Sequence, residues 1–180
     1  AHIVVLKIIS FTFMFPWGIS GAATTRVGNL LGAADPIRAR LAGITALGLA
    51  ILVMAILGSM IVWLDSSLPG VFSTDPRVLA SAVALLPIAA GFQIFDGVQA
   101  VAAGILRGAG QTIPAAAIGV IGFPCITLPL SYHLTFTREM GLAGIWWAFF
   151  IGLLTASLLL VGYFLITSPN WKPIERRIAD

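Results

Sequence analysis

The chain has 180 residues, of which 59% are hydrophobic and 9% charged, with a mean hydropathy of +1.03. A soluble domain carries about 25% charged residues, so this balance excludes an ordinary globular core and specifies an integral membrane protein. The net charge of +3 comes from basic residues at the ends of apolar runs and does not indicate nucleic-acid binding.

Five segments are long enough to cross a bilayer, so the expected fold is all-α, a polytopic transmembrane bundle over 1–168 with a cytoplasmic tail at 169–180. The first span covers 3–31; Lys7 interrupts it and Pro16 stands in its middle. Asp35-Pro36 then opens the second span, 39–64: Asp caps the helix, and Pro takes the first helical position, where its missing N–H costs nothing. A polar connection containing Pro69-Gly70 ends that span, and Asp75-Pro76 repeats the same opening before the third, 77–106, with Pro87 inside it. The fourth, 113–136, holds Pro114, Pro124 and Pro129, and the fifth, 140–167, is uncharged until it meets Ser168-Pro169. Prolines at 16, 87, 124 and 129 each release a backbone carbonyl at membrane depth, as static kinks in a packed bundle or as points of bending. The chain opens at Ala1 within an apolar stretch, and the expectation is a fragment of a longer protein.

Five spans put the connections on alternating sides. One side collects Arg26, Arg38, Arg40, Arg107, Lys172, Arg176 and Arg177; the other has Lys7, Arg77 and Arg138. Seven basic residues against three mark the first side, with the carboxyl terminus, as cytoplasmic.

The third span carries the chemistry. Asp96 is the only acidic residue inside any long apolar run. A carboxylate at that depth costs about 2.5–3.5 kcal/mol, so a use for it is expected. At about 100° per residue, Gln93 lies about 60° to one side of Asp96 and Gln99 about 60° to the other, so the three share a face. Arg107 returns to within about 20° of Asp96, roughly 16 Å further along the axis. Glycines four apart, Gly104 and Gly108 with Gly28 and Gly32, suit close helix packing.

Other chemistries find no support. His2 and His133 stand without ligand partners at metal spacing, so no metal site is expected. No phosphate-binding glycine loop follows a strand pattern, and the serines and threonines lack a base, so the protein is not expected to be an enzyme. Cys125 reads as a small packing residue, and Trp17, beside Pro16, as a possible cavity wall.

Two stretches resemble a known family. Ile19-Ser-Gly-Ala-Ala-Thr-Thr-Arg-Val-Gly-Asn-Leu-Leu-Gly-Ala33 is similar to the end of the eighth helix of the multidrug and toxic compound extrusion (MATE) transporters. Asp96-Gly-Val-Gln-Ala-Val-Ala-Ala-Gly-Ile-Leu-Arg-Gly-Ala-Gly-Gln111 is similar to the tenth-helix motif, an acidic residue followed by a Gly-Leu-Arg-Gly-x-Gly ending. The resemblance spans the chain as helices eight to twelve. It implies half of a two-lobed, twelve-helix transporter that exchanges organic cations or drugs for H⁺ or Na⁺. On that match Asp96 takes the place of a cation-coupling carboxylate, with Gln93 and Gln99 beside it.

The resemblance makes the missing amino-terminal lobe a partner, along with membrane lipid and an organic cation or drug substrate, and places the chain in a bacterial inner membrane. It implies no cofactor beyond the coupling ion. Two competing expectations are a lipid or lipid-linked saccharide flippase, which needs several basic groups in its cavity where Lys7 is the one buried basic candidate, and a truncated membrane protein that transports nothing.

Overall fold

The computed structural model describes residues 2–64, 67–72 and 74–172. The basic tail with Arg176 and Arg177, and Asp65, Ser66 and Ser73 of the second connection, lie outside them. Among the described residues the chain is all-helical: α1 (His2–Gly32), α2 (Pro36–Trp63), α3 (Pro76–Gly108), α4 (Thr112–Gly122), α5 (Pro124–Tyr132) and α6 (Gly141–Thr167). These form five helical segments long and apolar enough to span a membrane, with α4 and α5 stacked end to end in the fourth.

Both Asp-Pro pairs start helices. The Asp35 carboxylate accepts from the Arg38 N–H at 3.0 Å, and Asp75 accepts from the Arg77 N–H at 2.9 Å, each satisfying a first-turn donor that has no partner within the helix. The far end of α3 closes on Gly110, whose φ of 74° a residue with a Cβ adopts reluctantly. That turn brings the Gln111 N–H to the Leu106 carbonyl at 2.8 Å and the Gly110 N–H to the Arg107 carbonyl at 3.0 Å.

The fourth span is one helix in the sequence reading and two in the structure. Pro124 cannot donate to the preceding turn, so α4 ends at Gly122, Phe123 turns (φ −103°, ψ −76°), and Pro124 takes the first position of α5. Pro114 falls in the first turn of α4, where no N–H is missed. Pro16, Pro87 and Pro129 stay inside their helices. After Tyr132 the chain makes one wider π-type turn, His133–Thr137, before α6. Cys125, read as a packing residue, is exposed on α5.

The centre of the bundle is α3, which packs against α1, α2 and α6, while α4 and α5 lie on α6. Two apolar clusters fill the space between the helices. One gathers Val27, Leu31, Ala50, Val101, Ile105, Leu160 and Phe164 near the α1–α2 connection. The other gathers Val5, Ile8, Leu86, Phe92 and Trp146 toward the opposite end.

Small residues set how closely α1 and α3 approach. A Cβ added at Gly104 would overlap Ser20 Oγ and lie 2.7 Å from the Ser20 carbonyl oxygen; one at Gly108 would overlap the Thr24 carbonyl oxygen. Across this seam Ser20 Oγ donates to the Ala100 carbonyl (2.7 Å) and Thr24 Oγ1 donates to that of Gly104 (2.8 Å). Bundles in lipid lack a strong hydrophobic drive between helices, so close backbone contact and such interhelical bonds supply much of the association.

Candidate functional site

Between the two apolar clusters, one face of α3 is left open. With Asp96 as origin, Phe92, Gln99, Ala100, Ala103 and Arg107 all fall within about 60° of it around the helix. They line a cavity of about 620 Å³. Its other walls are Phe13, Met14 and Trp17 of α1, Phe123 at the α4–α5 break, and Phe149 and Leu153 of α6. The Phe123 and Phe149 rings stand 6.1 Å apart, and those of Phe13 and Trp17 6.2 Å apart.

Asp96 makes no hydrogen bond or ion pair with any described residue. A carboxylate held in apolar surroundings without a protein partner is a favourable place for a cation. The aromatic faces around it attract an organic cation for a second reason, since each ring presents a negative π surface. A carboxylate with aromatic walls around it offers chemistry that suits a cation.

The structure separates the three polar residues of the third span. Asp96 and Gln99 line the cavity. Gln93 does not: it is fully buried against α1, where its Oε1 accepts from Thr12 Oγ1 at 2.8 Å and its Nε2 has no partner. The cause is the position of α1. Its seam occupies the arc about 60–120° from Asp96, which holds Gln93, Gly97, Gly104 and Gly108. Gln93 thus sits at the interface and Gln99, on the other side, at the opening.

Arg107, which the helical period places on the Asp96 face about three turns further along α3, reaches the same cavity and donates to Ser20 Oγ at 3.3 Å. Lys7, by contrast, is exposed, with Nζ 5.9 Å from the centre of the Phe72 ring in the second connection. It is not a buried basic group and does not line the Asp96 cavity. Trp17, singled out in the sequence by its place beside Pro16, does line the cavity; Phe13, Phe123 and Phe149 carry no sequence signal that sets them apart from other apolar residues in their spans.

The MatE family model matches residues 1–133. Among curated proteins, the chain is 37% identical over 169 residues to "Multidrug resistance protein NorM" of Burkholderia vietnamiensis, covering 91% of this chain and 37% of that protein. It is 40% identical over 158 residues to "Probable multidrug resistance protein NorM" of Brucella suis, covering 85% and 34%. Among solved structures, the eukaryotic MATE transporter AtDTX14 superposes with a TM-score of 0.85 at 27% identity, over 91% of this chain and 36% of that one. A MATE family transporter in an inward-facing conformation superposes with a TM-score of 0.84 at 14% identity, which shows the shared fold alone. The chain spans between 34% and 39% of the length of these relatives.

Proposed function

The chain belongs to the MatE family, and from that premise we propose that it is the carboxy-terminal lobe of a multidrug exporter, working with an amino-terminal lobe that supplies the rest of the relatives' length. In this reading Asp96 binds H⁺ or Na⁺ and an organic cation in turn, and their competition for one carboxylate links the two fluxes. The observation that carries it is a carboxylate without a hydrogen-bond or ion-pair partner among the described residues, within an aromatic-walled cavity. The bacterial relatives support an inner-membrane location. A flippase for phosphate-bearing lipids finds less support, since the cavity offers one basic group and Ser20 already engages it.

The aromatic walls give a quantitative test. A ring facing a desolvated cation contributes about 0.5–2 kcal/mol, so Phe123→Ala is expected to weaken binding of a rhodamine- or ethidium-type cation about 2- to 30-fold. Phe123→Tyr should retain most of the affinity. Equal binding by Phe123→Ala and the parent protein, in a direct fluorescence titration, would take Phe123 out of the site.

The orientation we propose puts the α1–α2 and α3–α4 connections in the cytoplasm, following the asymmetry of basic residues. Single cysteines at Ala34 and Val71, with exposed Cys125 replaced by alanine, are expected to react with an impermeant maleimide from opposite faces of the membrane. Labelling of both from one face would refute that topology.

A further inference from the structure

A second opening lies away from the Asp96 cavity, between α1 and α2 at the end where a short connection joins them. It has a volume of about 680 Å³ and an apolar floor kept open by Gly18, Ala22, Ala42 and Ala46. A Cβ at Gly18 would meet nothing within 4 Å. Arg26 and Arg38 both line the part of the groove nearer the α1–α2 connection. Arg38 Nε lies 3.4 Å from the Asp35 carboxylate, and Arg26 makes no hydrogen bond or ion pair with any described residue. The groove thus carries two guanidinium groups, of which one has a carboxylate partner.

The dimensions fit a membrane leaflet. From Arg26 back to Gly18 the groove descends about 12 Å along α1, and from Arg38 to Leu49 about 16 Å along α2. Half of a hydrocarbon core is about 15 Å. The charged end therefore sits at headgroup level when the apolar floor lies along an acyl chain. Arginine pairs a phosphodiester through a planar fork of donors, and basic clefts between membrane helices at this level select anionic headgroups.

We propose that the α1–α2 groove is a binding site for an anionic phospholipid, with the phosphodiester held by Arg26 and Arg38 and one acyl chain lying over Gly18, Ala22, Ala42 and Ala46. This site is separate from the Asp96 cavity and does not depend on the transport reading.

The test uses the purified, delipidated protein titrated with phosphatidylglycerol or phosphatidylcholine and read by native mass spectrometry. Phosphatidylglycerol is expected to bind more tightly, and to weaken on the order of 5-fold for each guanidinium removed in Arg26→Gln and Arg38→Gln. Binding by the unmodified protein should also weaken as salt is raised from 0.05 to about 0.5 M, because the attraction is screened. Ala22→Trp, which fills the floor without touching the charge, should lower occupancy by both lipids. Equal affinity for the two lipids, or phosphatidylglycerol binding insensitive both to salt and to the double variant, would overturn the proposal. So would a photoreactive side chain at Ala46 in intact membranes crosslinking to polypeptide and not to lipid, since a protein segment would then occupy the groove.

Discussion

Replacing Asp96 with Asn is expected to abolish drug export by the assembled transporter while leaving its amount in the membrane unchanged. Asn keeps the shape of the side chain and much of its hydrogen bonding but carries no charge in any state. If Asp96 exchanges one cation for another, the variant holds neither ion well, and energised efflux of an ethidium-type substrate should fall by two orders of magnitude or to background. Asp96→Glu keeps the charge and moves it by about one methylene, so partial transport with altered substrate preference is expected. The competing role is a permanently neutral group that only stabilises the fold. In the structure Asp96 has no hydrogen-bond partner among the described residues, which removes the interactions such a role would use. Strong efflux by a well-inserted Asp96→Asn protein would nevertheless establish it.

The largest effect on folding is expected at Gly104. Its Cα faces Ser20 of α1 so closely that even a methyl group overlaps Ser20 Oγ, and the nearby Ser20 carbonyl is backbone and cannot rotate away. Gly104→Leu must separate α1 from α3 and break the Ser20–Ala100 and Thr24–Gly104 hydrogen bonds. Overpacking of this kind costs about 1–3 kcal/mol, and the lost interhelical bonds add to it. A fall in monodisperse yield and a lower unfolding midpoint are expected. Gly48 in α2 is the control: an added Cβ there meets nothing within 4 Å, so Gly48→Leu should behave like the parent protein. Equal yields from Gly104→Leu and Gly48→Leu would show that the α1–α3 contact is looser than the structure places it. A selective change in exported drugs at normal yield would put Gly104 on the cavity wall.

Hydropathy made the five spans legible, and the two Asp-Pro pairs marked the starts of α2 and α3, because both signals act locally. The helical period was enough to put Arg107 on the same face of α3 as Asp96, about three turns away, and both line one cavity. It was not enough for Gln93 and Gln99, which are symmetric about Asp96 in the sequence and opposite in environment in the fold. Which flank meets a neighbouring helix is a tertiary fact. A hint was present: Gly97, Gly104 and Gly108 crowd the Gln93 side, and small residues mark a close helical seam. The break at Phe123 was hidden for a similar reason. Three prolines lie in the fourth span and only Pro124 divides it, while Pro114 occupies a harmless first turn and Pro129 is tolerated inside α5. The aromatic walls of the cavity come from three separate regions of the chain that no single-helix pattern connects.

The exchange at Asp96 is tested most directly by the release of the bound cation on addition of substrate. The assembled transporter, purified in weakly buffered detergent solution, is mixed with an organic cation while proton release is followed with a pH dye and, in parallel, sodium release with ²²Na⁺. The parent protein is expected to release one of the two ions as substrate binds, in proportion to the sites filled. Asp96→Asn is expected to release neither. Substrate-induced release of equal size from the parent and from Asp96→Asn would contradict the assignment and move the coupling carboxylate elsewhere in the transporter.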